Sequence, residues 1–307
     1  MGADDPPSAA DPAEETEAAL ERGAFLKIVR AMQGYAEDAS AEVHRWEHNF
    51  ERLPEKHRAL LSHHRKKHAE ARRCVGVNDA FFRRMLASFM DEFTPSHLRV
   101  PPPQRGAPDP VAPADVEKVR YVLKNLARDW SAESAAERAQ SHGPILAELE
   151  ARLPTPGDGG DEASPPRVLV PGAGLGRLVM ECARRGFMAE GNEYSYYMLL
   201  TSSYILNHAQ EPGEFVIHPW VHSNNNHLSD ADHLRATPVP DVPACRAGIR
   251  PGCMSMCAGD FVEIYGAPDH AGQWDAVVRV LTPMRAYFLR CACFVLINRL
   301  PHVSYLG

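Results

Sequence analysis

The stretch Val168-Leu169-Val170-Pro171-Gly172-Ala173-Gly174-Leu175-Gly176-Arg177-Leu178 restricts the fold of this 307-residue chain more than any other. Its first three residues are an apolar run, β-branched at both ends, the signature of a strand buried on both faces of a parallel sheet. Pro171 has no N–H to donate, so the ladder stops there. Glycine then recurs at 172, 174 and 176. Without a Cβ the chain can turn sharply, and another molecule can come up against its backbone. From Leu175 the pattern becomes helical, with Leu175, Leu178, Val179, Cys182 and Ala183 on one face. Arg184 and Arg185 fall in the last turn and Gly186 closes it, both C-terminal signals. The unit reads as strand, glycine loop, helix.

A second strand is expected over Phe187 to Gly191, ending at Asn192-Glu193. In nucleotide-binding α/β folds an acidic residue about 20 positions past the glycine loop takes the ribose hydroxyls, and Glu193 stands there. A carboxylate suits that task because its oxygens can accept from both vicinal hydroxyls. The dinucleotide fingerprint is G-x-G-x-x-G, its third glycine serving close helix–strand packing and its helix N-terminus facing a pyrophosphate. This chain has G-x-G-x-G, with Arg177 where that third glycine belongs. The spacing resembles the first motif of class I S-adenosylmethionine-dependent methyltransferases, whose ligand carries no phosphate. A nicotinamide-dependent oxidoreductase and a glycine turn without a ligand are the alternatives.

A chain of this length fits one large or two modest domains. Its formal net charge of −7 argues against a partner such as nucleic acid that is held by overall charge. The seven cysteines form no C-x-x-C pair, and Cys253-x-x-x-Cys257 and Cys291-x-Cys293 have no matching partners, so no zinc site is expected. Reduced thiols are the simplest reading and point to a cytosolic or nuclear setting. No apolar run is long enough to span a membrane, and the acidic, Ala/Pro-rich start has no signal-peptide core.

Taken in order, residues 1–18 are expected to be disordered, and 19–150 to form a helical N-terminal region broken by a Pro-rich linker at about 95–113. Phe25, Ile28, Val29 and Met32 form one apolar stripe, and Val43, Trp46 and Phe50 another. Pro54 is placed in the first turn of a new helix. Phe81, Phe82, Met85, Leu86 and Phe89 are read as helix packing, with a dimer contact as the alternative. The basic cluster His63 to His68 lacks interleaved aromatic residues and is read as a solvated helix face. Val116 to Trp130 has helical spacing and brings Arg128 and Trp130 next to the glycine-loop unit. Arg128 is a candidate to meet a ligand carboxylate through its guanidinium fork; a surface pair with Asp129 beside a core tryptophan is the alternative.

Residues 165–278 are read as the α/β core, entered through a Gly/Pro/Asp-rich linker at Thr155 to Pro166. Tyr194 to Leu206 is a crossover helix, and His218 to Gly252 a long irregular segment read as a substrate-facing lid or a surface loop. Its histidines, His218, His222, His227 and His233, have no thiolate or acidic set beside them and are not expected to bind metal. Met254 to Phe261 is the third strand and Trp274 to Val278 the fourth. At the end of the third, Asp260 is placed to accept from an adenine amino group and Phe261 to pack on the ring.

Five segments together resemble the carnosine N-methyltransferase (N2227-like) family: Leu123-Lys-Asn-Leu-Ala-Arg-Asp-Trp-Ser131, Val170-Pro-Gly-Ala-Gly-Leu-Gly-Arg-Leu178, Gly191-Asn-Glu-Tyr-Ser195, His218-Pro-Trp-Val-His222 and Ala258-Gly-Asp-Phe-Val-Glu-Ile-Tyr265. The resemblance runs from about Phe25 to Val278. It implies a class I methyltransferase fold, a Rossmann-like parallel sheet preceded by a helical region, and a homodimer. It also implies methyl transfer from S-adenosylmethionine to an imidazole nitrogen of carnosine (β-alanyl-histidine), giving anserine. Carried over by motif, Arg128, Gly172, Gly174, Glu193, Asp260 and Phe261 would bind the cofactor. The family has Gln where this chain has the shorter Asn125.

After Val278 the sequence departs from the family. There the fourth strand continues into an Asp-Thr-Ala-His segment and later elements that hold the substrate and a catalytic histidine. Here the chain reads Arg279-Val-Leu-Thr-Pro-Met-Arg285 and proceeds to Gly307, so 279–307 is expected to be a divergent tail. The later strands of the sheet are expected to be missing, with one replacement strand at Phe294 to Asn298. A truncated, inactive form that binds cofactor or pairs with a full-length copy is therefore a further alternative.

Overall fold

Parallel pairing of the two motif strands sets the architecture. In the computed structural model, which describes residues 12–91, 94–102, 111–154, 164–281, 292–297 and 304–306, β1 (Arg167–Pro171) runs beside β2 (Met188–Glu193), with Val168 opposite Ala189 and Val170 opposite Gly191. The helix that joins them, Arg177–Arg184, crosses over the sheet, as a parallel pair requires. Val168, Leu169 and Val170 are all buried, which is why the run is apolar without alternation.

Seven helices come first: α1 (Pro12–Gln33), α2 (Tyr35–Glu51), α3 (Glu55–Leu60), α4 (His64–Ala87), α5 (Pro113–Trp130), α6 (Ala135–Ser141) and α7 (Gly143–Arg152). α1 begins at Pro12, inside the stretch expected to be disordered; residues 1–11 lie outside the described residues. Pro113 occupies the first turn of α5, where its missing N–H costs no hydrogen bond. Much of the expected linker, 103–110, and of the linker ahead of the core, 155–163, also lies outside the described residues. The part at 94–102 is anchored: Val100 is buried and its N–H donates to Phe89 O at 2.8 Å.

After β1, α8 (Arg177–Arg184) and β2 come α9 (Tyr196–His208), β3 (Phe215–Ile217), α10 (Asp230–His233), β4 (Thr237–Val239), β5 (Met254–Ala258), α11 (Phe261–Tyr265) and β6 (Ala276–Leu281). β7 (Ala292–Ile297) and β8 (Ser304–Leu306) follow. The main sheet has the order β5-β2-β1-β6-β7-β8. β5, β2, β1 and β6 are mutually parallel, while β7 and β8 add antiparallel. The sheet thus continues past β6 by two antiparallel strands, where one replacement strand was expected.

One apolar core runs without a break from Phe25, Met32, Phe82 and Leu123 of the helical region to Tyr204 and Ile205 of α9 and Phe215 of β3. A second lies on the other face of the sheet, between α7, α8 and β1. The aromatic face of α4 belongs to the first core: Phe81 meets the rings of Tyr204 and Phe215 at 5.9 and 5.7 Å.

Two sequence expectations are corrected. The segment from His218 to Gly252 is not irregular throughout: its middle, residues 223–226 and 228–231, is exposed, but its two ends are docked. β3 and β4 pair antiparallel within it and at its edge, His218, His233, Thr237 and Val239 are buried, and Asn78 of α4 exchanges hydrogen bonds with both the N–H and the C=O of His218. The basic cluster is a solvated face only in part, at His63, Arg65 and Lys66. His68 is buried, His64 stacks on Phe50 at 6.0 Å, and Lys67 pairs with Asp230 at 2.8 Å, because the segment around α10 docks on this face of α4.

A candidate cofactor cleft at the strand ends

The carboxyl ends of β1, β2 and β5 bring the glycine loop, Glu193 and Asp260 into one cleft. Gly172, Gly174 and Gly176 all have positive φ (67, 57 and 78°), a region that favours glycine. A Cβ at Gly172 or Gly174 would meet no atom within 4 Å, so the loop presents bare backbone to open space. Gly191 has the opposite reason to be glycine. A Cβ there would stand 2.5 Å from Met256 Sδ, 2.7 Å from Val179 Cγ2 and 2.8 Å from Ala173 Cβ. The close helix–strand packing that a dinucleotide fold obtains from its third loop glycine is supplied here from β2.

Glu193 ties the glycine loop to the end of β2. Its Oε2 accepts from the Gly174 N–H at 2.8 Å, and its Oε1 accepts from the N–H groups of Tyr194 and Ser195 at 2.9 and 2.8 Å. Asn192 ties the three strand ends together: its C=O accepts from Ala173 N–H, and its Nδ2 donates to Gly259 O at 3.0 Å. Gly259 N–H in turn donates to Glu193 O. Asp260 caps α11, accepting from Val262 and Glu263 N–H groups. The Phe261 ring remains 38 % exposed beside Tyr265, as a stacking surface would be.

Arg128 is held by its neighbour in sequence. Its guanidinium makes a two-point contact with Asp129, at 2.7 and 3.2 Å, which is the neighbouring pair the sequence left open. Its side chain lines a groove of about 480 Å³ between α5 and the 220–235 stretch, whose walls include none of Gly172, Gly174, Glu193, Asp260 or Phe261. The end of α5 is nonetheless fixed to the glycine loop, since Trp130, fully buried, donates from Nε1 to Leu175 O at 3.2 Å.

A family model of carnosine N-methyltransferase matches residues 106–298, which is more than half of the chain and includes every candidate residue of the cleft and Arg128. The chain belongs to the carnosine N-methyltransferase family. It is 33% identical over 266 residues to the carnosine N-methyltransferase of Mus musculus, covering 86% of this chain and 64% of that protein. To the carnosine N-methyltransferase of Schizosaccharomyces pombe it is 41% identical over 162 residues, or 53% and 43% of the two chains. To carnosine N-methyltransferase unmet of Drosophila melanogaster it is 38% identical over 215 residues, or 64% and 46%. The chain thus spans less than two thirds of the length of these relatives, and the family match runs past Val278.

In this member of the carnosine N-methyltransferase family, sequence reasoning missed the group that locks the cleft to the helical region. Arg177, at the third-glycine position, turns its side chain inward. It pairs with Asp241 at 2.5 Å and Glu181 at 3.0 Å, donates to Asp129 O at 3.1 Å, and lies 5.2 Å from the Trp130 ring centre. Arg138 takes the other oxygen of Asp241 at 2.6 Å and donates to Arg128 O and Ser131 O. Burial opposes ionisation of Glu181, but the arginines around it, Arg177 foremost, outweigh that and hold its carboxyl below the usual range. Asp241 lies 64 positions from Arg177, and only the arginine in a glycine's place hinted at a partner.

Proposed function

We propose that this chain is an S-adenosylmethionine-dependent methyltransferase acting on the imidazole of carnosine-like histidine peptides, with anserine the product from carnosine. The observation that carries the proposal is the cleft. A loop with open space over Gly172 and Gly174 meets a strand-end carboxylate, Glu193, and a second strand end with Asp260 and a half-exposed Phe261 ring. Those groups fit an adenosine: a carboxylate for vicinal hydroxyls, an acceptor for an exocyclic amine and an aromatic face for the base. Family membership supports the substrate, since the relatives named above are called carnosine N-methyltransferases.

The cofactor would supply an electrophilic sulfonium methyl. Glu193 would hold the ribose, Asp260 and Phe261 the base, and the Gly172–Gly174 backbone would let the ligand lie against the loop. Arg128 would take the carboxylate of the methionine portion through its fork, in exchange for its contact with Asp129. The task left to the protein is orientation, because a methyl displacement gains chiefly from a near-attack geometry. The buried state of Arg177 favours this reading over a nicotinamide cofactor: its charge is already met by Asp241 and Glu181, so it offers nothing to a pyrophosphate.

A homodimer and a cytosolic or nuclear setting complete the proposal; Cys74, Cys182, Cys245, Cys253 and Cys257, all free, are consistent with a reducing compartment. The reaction is tested with S-adenosylmethionine labelled at the methyl group. Transfer of label to a carnosine ring nitrogen is expected. A folded, cofactor-bound sample that transfers none would instead favour the inactive, cofactor-binding form.

A further inference from the structure

The end of α5 is held by groups from three other parts of the chain. The last four carbonyls of a helix have no partner inside it. In α5 these belong to Ala127, Arg128, Asp129 and Trp130, and each is met. Ala127 O accepts from the Ser131 N–H at 3.2 Å. Arg128 O accepts from Arg138 of α6 at 2.9 Å, Asp129 O from Arg177 of α8 at 3.1 Å, and Trp130 O from the Asp241 N–H at 2.7 Å. Arg138 also reaches Ser131 O at 2.6 Å. Cations suit this place because a helix C-terminus carries partial negative charge. The two arginines repel each other, and the Asp241 carboxylate offsets that by taking Arg177 on one oxygen at 2.5 Å and Arg138 on the other at 2.6 Å.

This turn also carries the guanidinium assigned to the cofactor carboxylate. The Arg128 side chain is 42 % exposed, whereas Arg138, which clamps its backbone, is buried. Trp130 joins the same turn to the glycine loop, donating from Nε1 to Leu175 O. The spacing between Arg128 and the loop is therefore set by one frame. A ligand that touches only the loop and the strand ends does not sense that spacing; a ligand that also reaches Arg128 does. We infer that Arg138 is a positioning residue for the methionine end of the cofactor. By holding Arg128 O it fixes where the guanidinium fork starts, and Asp241 keeps Arg138 in place. Only the torsions of the Arg128 side chain then remain to be ordered on binding, which reduces the entropy lost. This rests on the S-adenosylmethionine reading of the cleft, with Arg128 as the carboxylate partner.

The test compares S-adenosylhomocysteine with 5′-methylthioadenosine by titration calorimetry on the full chain. Both are neutral thioethers of adenosine, and only the first has the amino acid end. Arg138→Gln should weaken S-adenosylhomocysteine about tenfold, the worth of one charged hydrogen bond, and change 5′-methylthioadenosine by less than about twofold. Arg128→Ala should show the same selectivity. Adding Arg138→Gln to it should cost no further affinity, because the two residues act through one contact. In Arg138→Lys a single ammonium replaces a fork that spans three acceptors, so a smaller loss of about threefold, equally selective, is expected. That variant serves should Arg138→Gln fail to fold. Weakening of both ligands alike, no weakening in a folded variant, or losses that add in the double variant would overturn the positioning role and leave the cofactor reading standing. Equal affinity of the unaltered chain for the two ligands would overturn the role of Arg128 and with it that of Arg138. Failure of the unaltered chain to bind either ligand would overturn the cofactor reading itself.

Discussion

The strand-end cleft and the α5 groove are built in opposite ways. In the cleft the polar groups are satisfied by the chain itself: Glu193 accepts backbone N–H groups, Asp260 caps a helix and Asn192 bridges strand ends. What it presents to open space is bare backbone, with carboxylates held beside it by hydrogen bonds. In the groove the polar groups are side chains on α5, α6 and the 220–235 stretch, and Trp220 Nε1 has no acceptor among the described residues. The first is set by covalent geometry and the parallel sheet; the second exists only because three separated stretches pack together. Damage to the sheet should therefore remove the cleft, while single side-chain changes should tune the groove.

The largest effect is expected where the two regions are joined. Asp241→Ala would strand the buried Arg138 and leave the buried Arg177 only Glu181, and breaking a buried pair in this way costs about 3–5 kcal/mol. Chemical denaturation should register it, and a change under about 1 kcal/mol would show that the network is not the joint between the regions. Next is Glu193→Gln, which confines the damage to the cleft. Affinity for S-adenosylmethionine should fall roughly ten- to a hundredfold, by the usual worth of a charged hydrogen bond, with a nearly unchanged melting temperature. Gly191→Ala would force a Cβ into Met256, Val179 and Ala173, and overpacking of this kind costs about 1–3 kcal/mol.

A smaller, pH-dependent effect should mark the docked segment that carries the far wall of the groove. His222 and His233 are pushed down to about 3 and about 4, in both cases chiefly by burial and further by Arg120 and Lys124 or by Lys67 and His227. Their folded values lie below the unfolded value of about 6.5, so the unfolded chain binds protons first on acidification. The stability they contribute is complete above about pH 6.5 and is lost progressively as the pH falls from there toward about 3. The melting temperature should drop by roughly 5 °C between pH 6.5 and 5. A flat profile would mean that these rings are not held neutral. Least of all, Arg246→Ala, which removes an exposed pair with Glu211, should change stability by under about 0.5 kcal/mol in denaturant titration.

The cleft was legible in the sequence because local rules govern it. A glycine at a positive-φ turn, an acid at the end of the next strand and an acid followed by an aromatic at the end of the third each reflect a constraint acting over a few residues. The groove was not legible. Trp220 and Arg235 face α5 only after β3 and β4 pair, and strands of three residues carry too little alternation to be read. The same shortness disguised the docked segment as a lid. The histidines of α4 read as a solvated face because their cover, the stretch around Asp230 and His233, lies far along the chain. Arg128 was placed beside the glycine loop by order along the chain, whereas its side chain points into the groove next to it.

The most direct test of the central claim is titration of the purified chain with S-adenosylmethionine, with NAD as the control. Micromolar binding of S-adenosylmethionine, weakened by Glu193→Gln, and no binding of NAD is the predicted result. Binding of NAD without S-adenosylmethionine, or binding of neither by a cooperatively melting protein, would contradict the assignment of the cleft.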